Sequence, residues 1–176
     1  MIHFSQSFDS LTGLKQVLGE KYAHWLVLGA GADHEDPFEC RLIECDRGEF
    51  DFGLGVALTV RGVRPKALMA DAGVVLVAFD TFISALDFRC SATNIRQREL
   101  RLDGTFVDML LLENGHVCVV HEIGAMVVTQ QLDSVWAVST DIVSNWSIDT
   151  ERGILTLNEL YSDEITTVSL EDGKKK

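Results

Sequence analysis

GVVLVAFDTFISALDF, residues 73–88, opens with a glycine, runs through six apolar residues, meets the polar pair Asp80–Thr81 and returns as a second apolar run. Short runs rich in valine, isoleucine and phenylalanine on either side of a polar turn are typical of paired β-strands. The segment therefore predicts two antiparallel strands joined by a turn.

The same pattern occurs twice more along the chain. It returns as GHVCVVHEIGAMVVTQ from Gly115 and as GILTLNELYSDEITTVSL from Gly153, so that the starts lie 42 and 38 residues apart. The stretches between, ELRLDGTFVDMLLLENG and SVWAVSTDIVSNWSIDTERG, each predict a strand, a break and another strand. A period of about 40 residues with four strands per unit is typical of propeller blades.

Residues 67–173 resemble the repeats of quinoprotein-like and WD-type propellers. The segments that carry the resemblance are GHVCVV, GAMVVTQ, SVWAVSTD and SNWSIDTERGILTL. The chain has no repeated Trp-Asp or Gly-His pair, and three units are too few for a ring of about four to eight blades. We therefore expect a mainly β fold, a repetitive antiparallel meander of propeller-blade-like units that is open or curled.

The N-terminal FDSLTGLKQVLGEKY predicts one short amphipathic helix. Asp9 or Ser10 can cap its start, and Gly19 can end it. We expect this helix to cover one face or end of the sheet. Its apolar residues share one face: Leu11, Leu14, Val17 and Leu18.

Length and composition favour one globular domain over residues 1–176, with 47% hydrophobic and 24% charged residues. Residues 1–66 would carry the helix, the first strands and an acidic segment, and residues 67–173 the repeated β units. The start MIHFSQSFDS has no signal-peptide pattern, and no apolar run approaches the length of a membrane span. We therefore expect a cytoplasmic protein, whose four cysteines are reduced.

Charge narrows the class of partner. The chain has 27 acidic and 15 basic side chains, a net charge of −12, which repels nucleic acid and anionic membranes and favours a basic protein. The acidic side chains are densest in DHEDPFECRLIECDRGEFD, residues 33–51, which contains eight acidic residues and two arginines. This stretch is called the acidic segment below.

GHVCVVHE raises the question of a metal or catalytic site. His116 and Cys118 would share one face of a strand, whereas His121 would lie on the other. The corresponding residues of the 73–88 unit are apolar. We therefore interpret these side chains as sheet packing.

Other candidate chemistry is weaker still. The acidic segment contains ligand types without the spacing of a zinc site, and LVLGAGAD has a lone G-x-G followed by acids that would repel phosphate. We expect no metal and no cofactor. A carboxylate cleft beside tryptophans, as in glycosidases, would use Asp141, Asp149 and Glu151 with Trp136 and Trp146, although core anchoring explains these tryptophans better.

The acidic segment and the lack of a catalytic motif are similar in character to bacterial toxin-immunity proteins, of the contact-dependent-inhibition or polymorphic-toxin type. That resemblance implies a non-catalytic protein that neutralises a basic partner, with a secreted nuclease toxin as the leading candidate. An alternative is a propeller-like scaffold or sensor that forms a homo-oligomer through open sheet edges, and a third is a hydrolase with clustered carboxylates. The predicted partner-binding residues are Glu35, Asp36, Phe38, Glu39, Glu44, Asp46, Glu49 and Phe50.

Overall fold

The computed structural model describes residues 2–29, 37–45, 52–89, 95–162 and 164–176. These residues form one helix and fifteen strands, and the strands are arranged in four sheets. The first, sheet A, has the order β1-β3-β4-β2 and is antiparallel except for the parallel pair β2–β4. Its elements are β1 (Ile2–Phe8), β2 (His24–Leu28), β3 (Glu39–Cys45) and β4 (Phe52–Leu58), with α1 (Leu11–Lys21) between β1 and β2.

Three antiparallel meanders follow, which confirms the predicted mainly β fold. Sheet B contains β5 (Lys66–Asp71), β6 (Val74–Phe79), β7 (Phe82–Asp87) and β8 (Arg96–Arg101). Sheet C contains β9 (Phe106–Leu111), β10 (Val117–His121), β11 (Gly124–Val128) and β12 (Ser134–Ser139). Sheet D contains β13 (Val143–Asp149), β14 (Ile154–Glu159) and β15 (Ile165–Ser169), and Lys175 adds a single bridge to Val168 at its edge.

Strand β6 is buried on both faces, and this determines how the sheets stack. Neighbouring side chains of a strand point to opposite faces, and all six residues of β6 are buried. Val74, Leu76 and Ala78 pack in one cluster with residues of sheet C. Val75, Val77 and Phe79 pack in a second cluster with residues of sheet A.

Strand β10 repeats this arrangement one sheet further along. Val117 and Val119 pack against sheet B, whereas Cys118 and Val120 pack against Leu155 and other residues of sheet D. The sheets therefore lie in the order A, B, C, D. Two-sided burial explains why these strands are continuous apolar runs in the sequence instead of alternating ones.

Helix α1 closes the outer face of sheet A. Leu14 and Leu18 are fully buried against that sheet, and a side chain at Gly53 or Gly55 would collide with the helix. A Cβ atom at Gly53 would lie 2.5 Å from the Tyr22 ring, and one at Gly55 would lie 2.7 Å from Leu14. The two glycines of β4 thus permit close helix–sheet packing.

The limits of α1 agree in part with the prediction. Ser10 is the N-cap, since its hydroxyl accepts the Gly13 N–H at 3.2 Å. The predicted end at Gly19 is wrong, because α1 continues to Lys21 and the Tyr22 N–H still bonds to the Leu18 carbonyl. Packing on sheet A outweighs the roughly 1 kcal/mol that a glycine costs inside a helix.

In sheet B and again in sheet C, a carboxylate in the central turn accepts hydrogen bonds that hold the turn in place. Asp80, buried and with a φ of 45°, accepts hydrogen bonds from the Thr59 N–H and hydroxyl, both at 2.8 Å, and from the Val60 N–H at 3.2 Å. Glu122, one repeat later, accepts from the Thr105 hydroxyl at 3.0 Å. Each bond joins a turn to the segment that enters the same sheet.

The two-sided core makes a prediction for Leu76. Replacement of this fully buried side chain by alanine leaves a cavity between sheets B and C, and should lower the free energy of unfolding by about 2–5 kcal/mol. Urea denaturation measures the change. The control is Leu160→Ala on the surface, which should change stability by less than about 0.5 kcal/mol; equal effects of the two substitutions would contradict the stacking.

Candidate partner-binding surfaces

Three of the eight predicted partner-binding residues can be placed. Phe38 lies just before β3 with 47% of its surface exposed, and the Arg61 guanidinium lies 4.7 Å from its ring centre, a cation–π contact. Glu39 and Glu44 lie at the start and near the end of β3. The other five fall outside the described residues: Glu35, Asp36, Asp46, Glu49 and Phe50.

Both placed carboxylates are already paired within the chain. Glu39 accepts hydrogen bonds from Arg41 Nε at 2.8 Å and from the Ser7 hydroxyl at 2.9 Å, and the bond from Arg41 lowers its pKa. Glu44 bonds to Lys21 of α1, which likewise lowers the pKa of Glu44. Such partly exposed ion pairs are worth about 0–1 kcal/mol, so a partner's cations could compete for them at small cost.

The histidines and the cysteine of GHVCVVHE do not converge. Cys118 faces sheet D, and burial raises its pKa to about 12. His121 is buried at the end of β10, where it occupies the repeat position of Phe79. His116 lies before β10, and its backbone N–H bonds to Asn114. Cys118 therefore packs in the apolar cluster between sheets C and D, whereas His121 is buried outside the core clusters. No cluster of metal-ligating side chains occurs in the described part of the chain.

The tryptophans of the hydrolase hypothesis pack between sheets C and D. Trp136 is buried and its indole N–H donates to the Leu170 carbonyl at 3.1 Å, and Trp146 packs against the same cluster. Asp141 lies two residues before β13 and Asp149 is its last residue, so the length of the strand, about 20 Å at the usual rise, separates them. That separation is too large for Asp141 and Asp149 to be the paired carboxylates of a glycosidase, which lie within about 10 Å. Glu151, the third candidate, lies in the turn that follows Asp149.

A groove missed by the sequence reasoning lies between sheets A and B. Its volume is about 460 Å³, and it opens beside Trp25 on the edge strand β2. The groove forms where β2 meets the start of β8, and contact between two segments so far apart in the sequence leaves no local pattern that predicts it. Its lining residues are Ala23, His24, Trp25, Leu26, Phe52, Ile95 and Gln97.

The surplus negative charge belongs mainly to sheets C and D. Residues 102–176 contain 13 acidic side chains and four basic ones, Arg152 and the three lysines at 174–176. Residues 1–101 contain 14 acidic and 11 basic side chains, so the acidic segment is offset by its neighbours. The acidic segment stands out when acidic residues alone are counted, whereas the uneven net charge of the two parts appears only when basic residues are counted too.

Comparisons with known proteins give little for this chain. No family model matches it, and no curated protein matches it. Among solved structures it is similar to a protein of unknown function from Bacteroides caccae, with 13% identity and a TM-score of 0.43 over 62% of this chain. The chain spans about half, 46%, of the length of that protein.

A separate finding concerns membranes. In the ranges that the structure describes, no helix has the length and apolar character needed to cross a bilayer, since α1 has only 11 residues.

His121 should make stability depend on pH. Burial lowers its pKa and Asp103 only partly opposes this, so the folded protein binds a proton less readily than the unfolded chain, whose histidine pKa is about 6.5. The free energy of unfolding should therefore fall as the pH decreases through about 6.5, by up to about 1.4 kcal/mol per pH unit.

The variant His121→Phe isolates this effect, because phenylalanine is the residue at the same position of sheet B. Its unfolding free energy, measured in urea between about pH 5 and pH 7.5, should fall less steeply than that of the wild-type protein. Identical slopes would show that His121 does not contribute.

Proposed function

We propose that this chain is an acidic, non-catalytic binding protein that neutralises a basic protein partner. The observation that carries the proposal is the charge of residues 102–176, which form sheets C and D and contain 13 acidic and four basic side chains. A surface with an excess of negative charge steers positively charged proteins into contact and accelerates their association. The same field repels nucleic acid and anionic lipid.

The more specific proposal is a bacterial immunity protein that acts in the cytoplasm on a nuclease toxin. Nucleases hold phosphate groups with cationic side chains, and carboxylates can occupy the phosphate positions and exclude the substrate. The acidic segment supplies such carboxylates in Glu35, Asp36, Asp46 and Glu49, and in Glu39 and Glu44 once a partner replaces Arg41 and Lys21. Phe38 and Phe50 would serve as aromatic anchors.

A second candidate function is self-association through an open sheet edge. Charged residues block the pairing of edge strands, and β8 carries three arginines and a glutamate. Strand β12, SVWAVS, is an edge without a charged residue, and Val135 on it is 43% exposed. If copies pair there, Val135→Lys should convert a dimer to a monomer in sedimentation equilibrium; a wild-type protein that stays monomeric would remove this candidate.

The test of the primary proposal is inhibition. We expect the chain, at one equivalent, to abolish RNA or DNA cleavage by a nuclease toxin domain of net positive charge, encoded beside its gene. The association rate, followed by stopped-flow fluorescence, should fall at least about tenfold between about 0.05 and 0.5 M salt, because screening weakens electrostatic steering.

Charge-reversal variants then assign the role of the acidic segment. Glu35→Lys, Asp36→Lys and Glu49→Lys together should slow association and flatten its salt dependence. Lys15→Glu, a charge reversal on α1 outside the segment, is the control and should leave the rate within about twofold. A chain that neither binds nor inhibits such domains would contradict the proposal.

A further inference from the structure

The most exposed large apolar side chains of the described residues lie together at one turn. Leu160 and Tyr161, in the connection between β14 and β15, are 50% and 74% exposed, and Ile165, the first residue of β15, is 66% exposed. The sequence predicted only a polar turn at 161–164. We call Leu160, Tyr161 and Ile165 the turn patch.

Hydrogen bonds join the described residues on either side of this turn to each other and to the preceding connection. The Glu159 N–H bonds to the Glu164 carbonyl at 3.0 Å, and the Ser162 hydroxyl donates to Glu159 at 2.7 Å. The Leu160 N–H bonds to the Ile142 carbonyl at 2.7 Å, which ties the turn to the connection between sheets C and D. Side chains whose backbone is held by such bonds lose less conformational entropy when a partner binds them.

Carboxylates flank the turn patch without a cation to pair with them. Asp141 caps the Ile142 N–H at 2.8 Å, and Glu159 and Glu164 bracket the turn. Within the described ranges none of these three forms an ion pair. Arg152 lies at the far end of the β13–β14 hairpin and pairs there with Asp149 at 3.6 Å.

We propose that the turn patch is a docking surface for a cationic protein, with apolar contacts at its centre and lysine or arginine side chains on its rim. Central aromatic anchors with a polar rim are typical of protein interfaces. A second copy of this chain would bring the same negative rim against the first and be repelled. The inference rests on the proposed function for the charge of the partner, and assigns that partner a contact surface outside the acidic segment.

The experiment uses two synthetic peptides of equal positive charge, a lysine–tryptophan peptide and a lysine–serine peptide. We expect the lysine–tryptophan peptide to bind the full chain more tightly, and to shift the backbone NMR signals of residues 141–143 and 159–165. Tyr161→Ala should weaken that binding about tenfold, while leaving the weaker binding of the lysine–serine peptide nearly unchanged. Val107→Ala, which changes an exposed apolar residue on β9, is the matched control and should bind like the wild-type protein.

Two negative results have different meanings. Equal binding of the lysine–tryptophan peptide by the wild-type protein and Tyr161→Ala, or signal changes that map to other residues, would overturn the turn patch and leave the proposed function standing. If neither cationic peptide binds at low salt, the proposed function fails together with this inference. Circular dichroism of Tyr161→Ala separates both results from loss of folding.

Discussion

Burial of β6 and β10 on both faces is the constraint on which the rest of the structure depends. A strand between two sheets must offer apolar side chains to both, so Val75 and Val77 pack toward sheet A while Leu76 packs toward sheet C. Sheet C repeats the arrangement 42 residues later. Sheet D packs through one face only, where Leu155 and Leu157 contact the residues of sheet C. The order of the four sheets follows from these shared faces.

Because the faces of sheets B and C serve the core, turns and strand ends remain for contacts with other molecules. In sheet B the central turn is itself occupied, since its backbone carbonyls at Asp80 and Thr81 accept bonds from Phe106 and Leu102. The turn of sheet C is held in the same way by Thr140 and Val143. The turn of sheet D receives no such bonds from a later segment in the described residues, and it is the turn that exposes apolar side chains.

Local patterns in the sequence predicted the repeated units well, but not their long-range relations. Gly73, Gly115 and Gly153 marked the hairpins because each adopts a positive φ, between 62° and 84°, before the second strand of its sheet. The parallel pairing of β2 with β4 joins residues nearly 30 positions apart and leaves no periodic signal. Likewise Gly19 was predicted to end the helix, because the residues around it do not show that α1 packs on Gly53 and Gly55 and is stabilised there.

The candidate sites were less predictable, since charge acts through space. Glu39 and Glu44 looked equivalent in the acidic segment, yet Glu44 pairs with Lys21 from α1, 23 residues away in sequence. The turn patch could not be recognised because a run such as LYSDEI does not reveal whether its apolar members are covered. The uneven charge of residues 1–101 and 102–176, which have net charges of −3 and −9, was visible in the sequence, and counting basic as well as acidic residues would have found it.

Amide hydrogen exchange of the native protein tests the shared-face stack most directly. If two-sided burial of β6 and β10 supports the whole structure, their amides should exchange slowest, at rates set by global unfolding, while edge strands such as β8 and β13 exchange faster through local opening. Fast exchange of β6 or β10, or protection no greater than that of the edge strands, would contradict the account.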